Sequence, residues 1–148
     1  MKILVCGGSG FIGSTFIQNF LKNNSELDIT NLDNLSIGSN QENLKDIQSN
    51  NQYNFIQDNI KNESVISNLV KDFDIVVNFA AESHVDRSIS NPKPFVETNV
   101  LGTYSLLEAI RKHDKLFIHV STDEVYGDAD DQESFNESSQ INPSNPYS

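Results

Sequence analysis

Basic residues are scarce in this chain: 10 lysines and arginines stand against 21 aspartates and glutamates, a formal charge of −11 over 148 residues. A field of that sign repels phosphate backbones and anionic bilayers, so neither nucleic acid nor a membrane surface is an expected partner. Cysteine occurs once, as Cys6. A lone thiol excludes an internal disulfide framework, and its place in the apolar run KILVC marks a small buried side chain of a protein kept in a reducing, cytoplasmic compartment. No apolar run approaches the ~18 residues of a membrane span, and MKILVC gives way to glycine too soon for a signal peptide. Internal repeats are missing, and asparagine, though plentiful, forms no tract long enough to be prion-like and reads as compositional bias.

What is present is an alternation. A hydrophobic content of 36% over 148 residues supports one sizeable core and one unit, residues 1–148. The short apolar runs KILVC, DITNLD, YNFIQ, DIVVNFA and LFIHVST are separated by helix-length amphipathic stretches. Runs that are apolar nearly throughout suit parallel strands covered on both faces, so the expected fold is α/β, a doubly wound parallel sheet with its ligand crevice at the carboxyl ends of the strands. Val96, Val100, Leu107 and Ile110 follow the steps of one buried face in the last long helix, whose start Pro92 and Pro94 mark. The polar segment from Gly127 reads as a long loop leading into a helix that begins near Pro146.

The informative residues follow the strands. After the first comes GGSGFIGS, in which Gly7, Gly10 and Gly13 fit GxxGxxG, and Gly8, Gly10 and Gly13 fit GxGxxG. Glycines there permit a tight turn and let the start of the following helix, with Phe11 and Ile12, approach a pyrophosphate that unpaired N–H groups and the helix dipole stabilise. Asp33 ends the second strand and can accept both hydroxyl hydrogens of an adenosine ribose, with Asn34, Leu35 and Ser36 beside it. Its charge and the lack of a following arginine or lysine favour NAD over NADP. Beyond the fourth strand, the small residues Ala80 and Ala81 leave room for a flat cofactor, with Phe79 beside them, and Ser83 offers a donor, whereas His84 fits a structural role better than a catalytic one. Arg87 is expected to pair with Asp86 in a charged turn. No metal site is expected.

The fifth strand runs into STDEVYGD, which sets the adjacent acids Asp123 and Glu124 at a strand's carboxyl end. Two like charges in a partly dehydrated crevice resist joint ionisation, which suits one acid to hold a proton while the other takes one. Together with AAESHVDRSI, this stretch resembles the extended short-chain dehydrogenase/reductase superfamily, and within it the nucleoside-diphosphate-glucose 4,6-dehydratases, along the whole chain. The resemblance implies an NAD-binding Rossmann fold, truncated here before its last strands, as the amino-terminal part of a longer enzyme. It implies a nucleoside-diphosphate hexose as substrate, dTDP-glucose foremost, and a homodimer formed through helices that include residues 92–113. It assigns Thr122 to orient the sugar's 4-hydroxyl, Tyr147 as base, Asp123 as acid and Glu124 as the base at carbon 5, with Ser83 also on the substrate. Asn59, Ile60, Thr98 and Tyr147 join the cofactor contacts.

Two departures stand out. Asn59 replaces the aspartate that members of the family place against adenine, and the chain ends at Ser148, before the lysine expected four residues past Tyr147. Without that cation a phenol is a poor base at neutral pH, so the isolated chain is expected to be inactive. Because sugar-nucleotide epimerases and decarboxylases share fold, cofactor and tyrosine, they remain alternatives, as does an NAD-binding module without turnover. The acid pair favours dehydration.

Overall fold

A computed structural model describes residues 1–129 and 134–148; part of the expected long loop, residues 130–133, lies outside the described residues. Each of the five apolar runs becomes a strand: β1 Lys2–Cys6, β2 Asp28–Asp33, β3 Tyr53–Gln57, β4 Ile75–Asn78 and β5 Leu116–His119. They form one parallel sheet in the order β3-β2-β1-β4-β5. Strand order reverses between β1 and β4, and Cys6 lies level with both Leu32 and Asn78 in register, so the ends of three strands open side by side onto one crevice.

The two faces of the sheet carry two cores, because successive side chains of a strand point to opposite sides. Ile3, Val5, Ile29 and Val77 meet Ile17 and Leu21 of α1 (Phe11–Asn23) and Leu44 of a 3-10 segment, Gln41–Ile47. Leu4, Cys6, Leu32 and Val76 meet Ile66 and Val70 of α2 (Glu63–Val70) and Leu106 and Ala109 of α5 (Thr103–His113). Between β4 and α5 the chain forms α3 (Val85–Ser90), the single turn α4 (Lys93–Phe95) and a π-helical segment, Val96–Gly102.

Three expectations need correction. The buried stripe along the last helical stretch is Phe95, Gly102, Leu106 and Ala109, while Val96, Val100 and Leu107 are 48–59% exposed and Ile110 is only partly covered. The helix has two apolar stripes, and the inner one is interrupted by Gly102. A Cβ there would lie 2.6 Å from Ile60 Cδ1, so the tightest contact has no hydrophobic residue to reveal it. Arg87 pairs with Glu82 at 3.5 Å rather than with Asp86, because consecutive residues on α3 project in different directions. No helix is formed from Pro146 among the described residues. Instead the Asn145 side chain accepts from the Tyr147 and Ser148 amides at 3.0 Å each, the hydrogen bonding of a helix N-cap with proline in the first position.

Candidate functional site at the strand ends

The glycine turn between β1 and α1 is shaped from two directions. Gly7 adopts φ +77°, and a Cβ on it would lie 2.5 Å from the Ala80 nitrogen and 2.7 Å from its Cα. Backbone thus packs on backbone between the first and fourth strand ends, which only glycine permits. A Cβ on Gly13 would overlap the Gly7 carbonyl and come within 2.8 Å of Gly8 Cα, so this glycine seats the helix on the turn. Gly10 differs. Its nearest neighbour would be the Gly7 oxygen at 3.5 Å, so no protein atom requires it to be bare. It caps α1 without a side chain, and beside it Phe11 and Ile12 are 83% and 61% exposed at the helix start, where N–H groups lack intrahelical partners.

Asp33 closes the end of β2. Its carboxylate is 4% exposed, with Oδ2 accepting from the Ser9 amide and Oδ1 from the Leu35 amide, both at 2.9 Å. Each oxygen keeps a further lone pair for a diol. Leu35 is held at φ +57°, a left-handed conformation uncommon for a non-glycine residue, and the Asn34 side chain accepts from the exposed Ser36 amide at 3.0 Å. Asn59 is half-buried, its side-chain oxygen already accepting from the Lys61 amide at 2.9 Å. Ile60 is turned into the core against Gly102, which leaves its backbone rather than its side chain for any ligand.

The turn after β4 is fixed by two asparagines. Asn78 accepts from the Ala80 amide at 3.0 Å, and Asn99 bonds both the amide and the carbonyl of Glu82 at 2.9 Å, reaching across from the π-helical segment that also carries half-buried Thr98. Phe79 turns its ring toward Phe16 of α1, centroids 5.3 Å apart, whereas Ala81, Ser83 and His84 are exposed. Asn78 also bonds His119 of β5 at 3.2 Å. Desolvation lowers the pKa of His119, which favours the neutral ring. Burial, reinforced by the Asp33 charge, pushes the Cys6 thiol up to about 12, consistent with an inert core residue.

Past β5, Thr122 caps a 3-10 turn, Asp123–Tyr126, accepting from the Glu124 amide at 3.3 Å and donating to Asp123 at 3.4 Å. The two acids take different partners. Asp123 is exposed beside Thr122, while Glu124 is half-buried and accepts from Asn145 Nδ2 at 3.3 Å. Asn145 in turn holds the Tyr147 amide, so one side chain joins the acid pair to the segment bearing the tyrosine. The bond from the Asn142 amide to the Val125 carbonyl, 2.9 Å, secures the same pairing. Sequence reasoning missed Asn78, Asn99 and Asn145; only the last has a local signal, the Asn-Pro dipeptide that starts a turn or helix.

Strand order, the glycine turn and the acid ending β2 define a Rossmann-fold chain. A family model described as GDP-mannose 4,6 dehydratase matches residues 4–148. dTDP-glucose 4,6-dehydratase of Mycobacterium tuberculosis H37Rv is 45% identical over 150 residues, covering 100% of this chain and 45% of that protein. Among solved structures, dTDP-glucose 4,6-dehydratase DesIV of Streptomyces venezuelae with NAD bound superposes with TM-score 0.94 at 38% identity, covering 99% of this chain and 47% of that one. The Bacillus anthracis dTDP-glucose 4,6-dehydratase, in complex with NAD, gives 0.90 at 39%, covering 99% and 46%. The chain therefore belongs to the GDP-mannose 4,6 dehydratase family, within the extended short-chain dehydrogenase/reductases. It spans less than half the length of these relatives.

Proposed function

We propose that this chain is the NAD-binding part of a sugar-nucleotide 4,6-dehydratase acting on dTDP-glucose. The observation that carries this reading is the meeting, at the strand ends, of a glycine turn left open at Gly10 with an acid pair that Asn145 ties to the tyrosine segment. NAD fits the residues present. The bare Gly10 Cα would admit a pyrophosphate, the Asp33 carboxylate has lone pairs left for a ribose, and the exposed Ala81 and Ser83 would take the nicotinamide end. The remaining cofactor contacts are assigned to Gly7, Gly13, Phe11, Ile12, Asn34, Leu35, Ser36, Asn59, Thr98 and the backbone of Ile60, Phe79 and Ala80.

The cofactor supplies a hydride sink at carbon 4 and a hydride source at carbon 6. The chain's own residues move the protons. Thr122 orients the 4-hydroxyl and Tyr147 accepts its proton, leaving a ketone that acidifies carbon 5. Glu124 removes the carbon 5 proton, Asp123 protonates the departing 6-hydroxyl, and water leaves. A proton returned to carbon 5 completes a 4-keto-6-deoxy sugar. Adjacency of the acids serves this division, since one must hold a proton while the other is free. The exposed apolar face of Val96, Val100, Leu101, Tyr104 and Leu107 supports a homodimer, and the buried, unreactive Cys6 agrees with a cytoplasmic enzyme.

The test supplies the intact enzyme that contains this chain with NAD and dTDP-glucose and follows the sugar by NMR. The expected product is the 4-keto-6-deoxy sugar, and Glu124→Gln abolishes turnover while leaving NAD affinity unchanged. An epimerised sugar, or full activity in Glu124→Gln, would refute the assignment.

A further inference from the structure

Ser9, in the middle of the glycine turn, is completely buried and cannot touch a ligand. Every polar group it has is nevertheless bonded. Its amide donates to Asp33 at 2.9 Å and its hydroxyl accepts from Asn31 Nδ2 at 3.0 Å. The carbonyl accepts twice, from the Asn40 amide and from Asn43 Nδ2, each at 3.0 Å. The two bonds to the carbonyl fix the plane of the Ser9–Gly10 peptide and with it the direction in which bare Gly10 and the first amides of α1 face. Asn43 is itself restrained, because its carbonyl accepts from Gln18 on α1. Turn, helix and 3-10 segment thereby close a triangle around one peptide.

We propose that Asn43 is a positioning residue for the cofactor's pyrophosphate, acting through the Ser9 carbonyl and contacting no ligand itself. The inference rests on the NAD reading above. Asn43 is exposed, whereas its neighbour Leu44 is 1% exposed and anchors the segment in the core. Stability and positioning thus fall on adjacent residues and can be separated. Ribose recognition by Asp33 does not pass through Asn43, so the effect is confined to ligands that carry phosphate.

The experiment titrates the wild-type chain, Asn43→Ala and Leu44→Ala with NAD, ADP and adenosine by calorimetry, and measures amide hydrogen exchange without ligand. Asn43→Ala should weaken NAD and ADP about fivefold, the worth of one hydrogen bond, leave adenosine unchanged and lower the melting temperature by less than Leu44→Ala does. Exchange should quicken at residues 8–11 and stay as in wild type along β1 and β4. Leu44→Ala, a packing lesion, should lower the melting temperature and weaken all three ligands alike. Unaltered NAD affinity in Asn43→Ala, or an equal loss for adenosine, would overturn the proposal while the NAD reading stands. A wild-type chain that ignores NAD would overturn both.

Discussion

The two halves of the crevice are built differently. Around the glycine turn the chain is locked: Gly7 packs backbone against Ala80, Asp33 is buried with both oxygens engaged, and Ser9 has no free polar group. Around the acid pair, Asp123 is exposed, Glu124 is held by one side-chain bond at 3.3 Å, and β5 ends a sheet edge where Ile118 and Val120 are 48% and 40% exposed. The geometry of the cradle is therefore preformed by the sheet, and the groups proposed to react are placed by a surface turn and a few asparagine contacts. Substitutions should divide accordingly. Those at the tightly packed positions of the cradle cost stability and binding together, and those at the acid pair cost turnover alone.

The largest effect is expected at Gly7. Gly7→Ala forces a side chain into a left-handed backbone position and against Ala80, destabilising by about 3 kcal/mol and abolishing NAD binding, as thermal denaturation and calorimetry will show. Asp33→Asn comes next, at about 2 kcal/mol, because an amide nitrogen must face either the Ser9 or the Leu35 amide; it should also narrow the preference for NAD over NADP. Gly10→Ala sharpens the comparison most, since its Cβ would meet no protein atom closer than the Gly7 oxygen, at an ordinary 3.5 Å. Stability should hold within about 0.5 kcal/mol while NAD affinity falls at least about tenfold. If Gly10→Ala binds NAD normally, the open space is not where the pyrophosphate lies.

The smallest effect is one of pH. Burial lowers the pKa of His119 below its ordinary 6.5, so the unfolded chain takes up a proton that the folded chain refuses. Stability contributed by the neutral ring is complete above 6.5 and is lost as pH falls from there through the folded value. Denaturant titrations of wild type and His119→Gln between pH 7.5 and 5 should show a shallower acid slope in the variant. Equal slopes would mean that the ring bonded to Asn78 is not the group titrating.

The same division explains what could be read from the sequence. Gly7, Gly13 and Asp33 were legible because local geometry, a tight turn and a strand end, dictates residue type at fixed spacing. The central strands β1 and β4 were legible because parallel strands buried on both faces are apolar throughout, whereas β2, β3 and β5 showed as short runs between helix-length amphipathic stretches. The asparagines were not. In composition they look like bias, yet Asn31, Asn43, Asn78, Asn99 and Asn145 tie together turns 17 to 41 residues apart, contacts that no local pattern announces. The inner face of the last helix was hidden for the opposite reason: its closest contact uses Gly102, where the signal is the missing side chain.

The central claim, a cradle preformed for NAD by the glycine turn and Asp33, is tested most directly by titrating the chain with NAD and with NADP in a calorimeter. The account predicts one NAD bound per chain, more tightly than NADP because the Asp33 carboxylate repels a 2'-phosphate. Tighter binding of NADP, or no binding of either, would contradict it.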